Sequence, residues 1–302
     1  MNDSDLVLSD VHVRCTEKPN ERGVAVTRFV AKIIEESDDD AGIDEDGDTI
    51  VKRRQRGEGI PLVIEHAMAT RLKDVGQQVW NGALLMADFI LSNKDLFIGT
   101  CAIELGAGTG LTSLVLSRYA DLVFCTDVGD GVLSCCQRNV ERNIGEIDAG
   151  IIQVRALNWA DPDAPEGSPS SFGWTAADID RLEDLDVIVA ADVIYNDYFT
   201  EMFVNKVRSL MLRYRKCKRC YVALEKRYNF TISKLDTVAP AFDYFKHCLD
   251  DLHGNDDTFV IERLPIGFSS MFAYERSHDM ELWCVYRNES EGVDSRREVS
   301  DV

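Results

Sequence analysis

Residues 103–111 read Ile-Glu-Leu-Gly-Ala-Gly-Thr-Gly-Leu. Glycine costs chain entropy on folding, so three at alternate positions mark backbone that must bend sharply or approach another group closely. The preceding Cys101-Ala-Ile-Glu-Leu105 is apolar and strand-like, and Leu111 to Tyr119 has a helical pattern. A strand, a glycine turn and a helix open an α/β unit whose turn lies at the carboxyl edge of a parallel sheet, where ligands bind.

The pattern continues downstream. Strands are expected at Leu122–Thr126, from Ile151, from Asp186 and from Arg219, with helices at Val132–Asn143, Tyr198–Tyr214 and Ser233–Leu252. Thr258–Leu264 and Glu281–Tyr286 read as a closing antiparallel pair. Short apolar strands separated by helices predict an α/β fold, a seven-strand and mostly parallel sheet with helices on both faces.

Upstream, Leu6–Val13 reads as a strand and Val24–Ile34 as a strand or helix, together a β extension. The acidic run from Glu35 to Asp48 follows, then Lys52-Arg-Arg-Gln-Arg56. Like charges at this density repel and stay solvated, so a disordered loop is expected at about residues 35–58. A nuclear-import or partner-docking element is the alternative for the basic cluster. Residues 1–59 thus form an N-terminal part, 60–287 the main domain and 288–302 a polar, flexible tail.

The chain carries 33 Lys+Arg against 53 Asp+Glu, a formal charge of −20. That balance opposes direct binding to nucleic acid and favours a basic partner. No apolar run approaches the roughly 20 residues of a membrane span. Nine cysteines without a framework pattern, and an N-terminus without an apolar signal core, point to a reducing compartment. Cys217-Lys-Arg-Cys220 lacks a second ligand pair, so two ordinary thiols and no metal are expected.

Asp127 ends the second strand of the α/β series. A carboxylate there accepts hydrogen bonds from ribose hydroxyls. A dinucleotide site asks for G-x-G-x-x-G, whereas Gly106, Gly108 and Gly110 give G-x-G-x-G. Glu104, just ahead of the loop, would repel a pyrophosphate and suit a cation. S-adenosylmethionine, with its sulfonium and ammonium, meets both conditions, and a nicotinamide-dependent oxidoreductase is the distant reading.

The run Glu-Leu-Gly-Ala-Gly-Thr-Gly with a downstream Asp resembles motif I of class I, seven-strand methyltransferases. Val79-Trp80-Asn-Gly82-Ala83 before it, and Ala191-Asp192-Val-Ile-Tyr195 after the fourth strand, are similar to the "family 16" protein-lysine methyltransferases. Leu224–Thr231 and Tyr274–Trp283 resemble one subgroup of that family. The resemblance covers about residues 60–287 and implies a Rossmann-like methyltransferase fold and S-adenosyl-L-methionine as cofactor. It also implies a non-histone protein as acceptor and a nuclear or cytoplasmic setting. It places Glu104, Gly106, Ala107 and Gly108 at the methionine portion, Asp127 at the ribose, and Asn158 and Trp159 near the adenine. Trp80 and Ala191 would also border the cofactor. Packing roles for Trp80 and Trp159 remain open alternatives.

Asp192 and Tyr195 are the candidate catalytic pair. Free lysine has a pKa of about 10.4, so about one in a thousand is neutral near pH 7.4, and only that form attacks. An apolar channel lowers the pKa by desolvation. Tyr195 would supply a channel wall and a cation–π face. Asp192 would orient the amine; its alternative is a helix cap at the strand end. The acceptor is expected to be a basic protein presenting a lysine, and the enzyme a monomer. A cofactor-binding interaction protein and a small-molecule methyltransferase are the competing functions.

Overall fold

The computed structural model describes residues 6–13, 18–32, 59–145, 150–161, 165, 171–231, 236–254 and 258–288. The acidic run, the basic cluster after it and the tail lie outside these residues. In chain order, β1 (Leu6–Val7), α1 (Asp10–Val13), β2 (Val24–Ala31), β3 (Ile60–Ala67) and β4 (Thr70–Arg71) lead to a 3-10 segment, Leu72–Gln77, and to α2 (Asn81–Ser92). Then follow β5 (Cys101–Leu105), α3 (Leu111–Leu116), β6 (Leu122–Asp127), α4 (Asp130–Arg142), β7 (Ile152–Ala156), α5 (Ala176–Leu182), β8 (Leu185–Ala191), α6 (Asp197–Arg213) and β9 (Arg219–Glu225). The last elements are β10 (Asn229–Thr231), β11 (Asp236–Val238), α7 (Pro240–Gly254), β12 (Phe259–Leu264) and β13 (Met280–Arg287).

Seven strands form one sheet in the order β12-β13-β9-β8-β5-β6-β7. The five from β9 to β7 run parallel, and β13 is antiparallel to both of its neighbours. All five residues of β5 are buried, as expected of a central strand covered on both faces. One apolar core joins α2, α3 and α4 to the sheet, and the other joins α5, α6 and α7 to its opposite face. The expected sheet and its seven strands are therefore present. Among the described residues, no helix is long and apolar enough to cross a membrane.

The N-terminal strand is tied to the main body. β2 pairs with β3 from Val24–Ala67 to Ala31–Ile60, so the boundary expected at residue 59 falls between two paired strands. Asn139 of α4 and Asn143, which caps its C-terminus, bond β3 in turn. Asn139 accepts from the Glu65 amide at 2.7 Å and donates to its carbonyl at 2.9 Å; Asn143 does the same at Val63, at 2.9 Å each way. Buried side-chain amides thus satisfy backbone groups that no neighbouring strand reaches.

Two expectations are corrected. Leu6–Val13 is not one strand: β1 is two residues long and α1 follows, because Ser9 is buried, with its hydroxyl donating to the Val79 carbonyl and its amide to Gln78 Oε1. Such local side-chain bonds draw the chain out of a ladder. The last helix does not begin at Ser233. Pro240 takes its first position, and proline disfavours helix at the residue before it. Asp236–Val238 instead pairs with Asn229–Thr231. A further helix, α5, for which no expectation was given, is opened by a capping box between Thr175 and Asp178.

Candidate active site

The glycine turn after β5 folds back on β6. Gly106 and Ala107 both donate to the Thr126 carbonyl, at 3.0 and 2.9 Å, and Gly108 donates to Asp127 Oδ2 at 2.8 Å. Gly106 and Gly108 have φ of 74° and 54°, which favour glycine. Space requires glycine too. A Cβ on Gly106 would stand 2.7 Å from Val193 and 3.1 Å from the Trp159 ring; one on Gly108 would stand 2.7 Å from the Gly76 carbonyl.

Above this turn is a cavity of about 400 Å³. Its size lies within the roughly 300–1,000 Å³ of small-molecule sites. All eleven expected site residues line it: Trp80, Glu104, Gly106, Ala107, Gly108, Asp127, Asn158, Trp159, Ala191, Asp192 and Tyr195. They come from five segments spread over more than a hundred residues, and the strand order gathers them at one sheet edge.

Two carboxylates lie under the glycine turn. Glu104 is 2% exposed, and burial pushes its carboxyl up to about 7, against hydrogen bonds from Ser113 and Thr112. Asp127 is also raised by burial, opposed by the amides of Gly108 and Val128 that its two oxygens accept. A bound cation reverses that burial cost. Two acids beneath a glycine cradle therefore fit S-adenosylmethionine better than a pyrophosphate.

Asp192 lines the cavity and also takes the alternative role read for it, that of a cap at the strand end. It has φ 55°, the one positive φ of a non-glycine among the described residues. Its Oδ2 accepts from the Gly82 amide at 2.6 Å, in the first turn of α2, and its Oδ1 from the Glu225 amide at 2.9 Å, at the end of β9. It caps a helix distant in sequence and ties three elements together. Gly82 is required for this, since a Cβ there would lie 2.6 Å from the Asp192 carboxyl carbon. Glu225 extends the tie, accepting from Asn81 at 2.9 Å and from Ser277 at 3.0 Å.

The aromatic groups divide. Trp80 stands at the N-terminus of α2, donates its indole N–H to the Val75 carbonyl at 3.0 Å, and carries the Arg227 guanidinium 4.2 Å from its ring centroid. Trp159 packs edge-on against Phe203 at 5.4 Å while its ring borders Gly106. Each is thus both wall and packing group. Asn158 is turned into its own loop, accepting from Ala160 at 3.1 Å. Burial and the nearby Asp127 raise the Tyr195 phenol above its ordinary value, with Arg227 opposing, so it stays neutral at physiological pH.

Other lining residues escaped the sequence reading: Val75 and Gly76 of the 3-10 segment, Val128, and Phe199 and Met202 on α6. The Gly76–Gly108 approach joins positions 32 residues apart and leaves no local pattern. Phe199 had a signal, one helical turn after Tyr195. Cys217 and Cys220 are buried free thiols, and no cluster suited to a metal ion occurs among the described residues.

A likeness in sequence accompanies this geometry. The chain is 39% identical over 247 residues to human methyltransferase-like protein 22, covering 80% of this chain and 61% of that protein. It is 28% identical to the Schizosaccharomyces pombe protein-lysine N-methyltransferase rrg1, covering 51% of this chain and 48% of that one. It thus spans about three-fifths, or less, of these relatives' length. Among solved structures, magnesium protoporphyrin IX methyltransferase of Synechocystis with bound SAH matches at TM-score 0.43 and 13% identity, covering 72% and 86% of the two chains. The family model described as lysine methyltransferase matches residues 59–238, from β3 through the cavity to β11. With more than half its length so matched, the chain belongs to the lysine methyltransferase family.

Proposed function

We propose that this protein transfers methyl groups from S-adenosylmethionine to a lysine side chain of a basic, non-histone protein in the nucleus. One observation carries the reading: in a member of this family, an acid-floored glycine cradle and an aromatic wall share one cavity. The charge of −20 supports a basic acceptor.

When bound, S-adenosylmethionine supplies an electrophilic methyl, which a neutral amine takes as the C–S bond breaks and its electron pair passes to sulfur. Gly106, Ala107 and Gly108 leave backbone room for the methionine portion, and Asp127 accepts from the ribose. Glu104 provides the negative charge that a sulfonium or ammonium favours. Trp80, Tyr195, Phe199 and Met202 desolvate the incoming amine, which lowers its pKa. The Tyr195 ring gives the methylated ammonium a cation–π face. Asp192 has both oxygens engaged by amides, and each oxygen keeps a second acceptor site for orienting the amine. Alignment and desolvation account for the rate, with the proton leaving to water.

The test is transfer from radiolabelled S-adenosylmethionine into nuclear extract by wild type and Tyr195→Ala, with cofactor binding followed by calorimetry. The expected result is a discrete labelled protein, lost in the variant, with cofactor affinity retained. Cofactor binding without labelled protein would overturn the protein-acceptor reading.

A further inference from the structure

Beside one of the residues that line the cavity stands a cation that the mechanism above does not use. Arg227 lies two residues beyond β9, is exposed, and stacks on Trp80 at 4.2 Å. Among the described residues its guanidinium makes no hydrogen bond or ion pair. Its neighbours at this end of the sheet differ. Lys226 pairs with the buried Glu281 at 2.6 Å, and Arg276 pairs with the buried Asp88 at 2.7 Å. Those two hold the fold together; Arg227 is stacked on an aromatic wall and, among the described residues, has no ion-pair partner.

A guanidinium has five N–H donors in a planar fork that matches a carboxylate. Held over an indole face it loses little further freedom on pairing, and its edge stays available. The strand order says which molecule brings the carboxylate. The cofactor's own carboxylate belongs to its methionine portion, placed at Gly106–Gly108 after β5 and two strands from β9, and its adenosine lies toward β6 and β7, where Asp127 and Asn158 stand. Arg227 lies the other way, past β8 and just beyond the end of β9, against Trp80.

We infer that Arg227 is a specificity-determining residue that binds a carboxylate side chain next to the acceptor lysine. This rests on the lysine-methyltransferase reading and adds a requirement to it. The acidic protein as a whole attracts a basic partner, while Arg227 selects, within that partner, a lysine with an acidic neighbour. A guanidinium that merely shielded Trp80 would impose no such choice.

The test begins with transfer into nuclear extract by the wild type and mass-spectrometric mapping of the methylated lysine. The acidic residue nearest that lysine is then changed to its amide in the full acceptor protein. Both acceptors are assayed with wild type, Arg227→Gln and Arg227→Lys, each checked for an unchanged melting temperature and for S-adenosylhomocysteine affinity. For the wild type, loss of the acid should raise KM about tenfold with kcat unchanged, the scale of one charge-assisted bidentate pair. Arg227→Gln should respond less than about twofold, and Arg227→Lys should fall between because an ammonium cannot form the fork. Mapped lysines without an acidic neighbour would overturn the inference and leave the function standing, as would an equal response in all three enzymes. Weaker binding of S-adenosylhomocysteine in Arg227→Gln, with the KM response retained, would assign Arg227 to the cofactor's own carboxylate and overturn it. No transfer by a wild type that binds cofactor would overturn both readings.

Discussion

The two halves of the cavity are built by different means. The centre of the cofactor half, over β5 and β6, consists of backbone turns and buried carboxylates within one stretch of about 25 residues, from Glu104 to Val128, to which Asn158 and Trp159 are added after β7. The acceptor half, over β8 and β9, consists of side chains from distant segments held by Asp192 and Glu225. The first is fixed by local conformation, the second by tertiary ties. A local device survives changes elsewhere in the chain; a relayed one fails when any member is lost.

The glycines give the sharpest way to break this division. Gly106→Ala combines left-handed strain with a clash at Val193, and calorimetry should show cofactor affinity reduced about 1,000-fold, the sum of two costs of roughly 2 kcal/mol each. Gly82→Ala presses on the Asp192 carboxylate instead, so methyl transfer should fall while the cofactor Kd stays within about threefold. Equal loss of cofactor affinity in both variants would mean that the halves are one unit.

Glu104 tests the cofactor half through pH. Its folded pKa of about 7 lies above the ordinary 4.5. The folded state therefore keeps a proton that the unfolded state loses, and stability falls as pH rises from about 4.5 to 7. The full difference is about 3 kcal/mol, reached above pH 7. In thermal melts without cofactor, Glu104→Gln should match the wild type near pH 5 and exceed it at pH 8. Cofactor affinity of the wild type should rise through the same window, because the cation favours the ionised form.

Asp192→Ala tests the relay. It leaves the Gly82 and Glu225 amides without their acceptor, so denaturant melts should show a loss of about 2 kcal/mol along with lost activity. Unchanged stability with lost activity would give Asp192 a purely chemical role. The smallest change is Asn81→Ala, which removes one bond to Glu225 and should cost about 1 kcal/mol, with cofactor affinity unaltered.

The same division decides what the sequence makes legible. Gly106, Gly108 and Asp127 act through bonds to near neighbours in the α/β unit, and strand–turn–helix patterning places them. The seven strands are equally plain, because each is a short apolar run. The structural work of Asp192 is hidden, since its partners Gly82 and Glu225 lie 110 and 33 residues away. Gly76 is hidden for the same reason. The false helix start at Ser233 came from apolar spacing, which overlooked how Pro240 sets a first turn. Arg227 reads as one more charge in Lys226-Arg227 until the structure shows which of the two is paired.

The placement of β13 bears on how the molecule is made. It lies between β9 and β12, although it follows both in the chain. During synthesis β12 emerges with no strand to pair with, since its sole neighbour in the sheet has not yet been translated. Docking of this edge therefore waits for β13, which then gains partners on both sides in a single event. The loop that leads into β13 carries Ser277, the residue bonded to Glu225. Closure of the sheet and bracing of the acceptor half thus wait on the same last strand, whereas the bonds of the glycine turn to Thr126 and Asp127 join residues of one α/β unit. The last strand to be made is therefore the one on which the acceptor half depends.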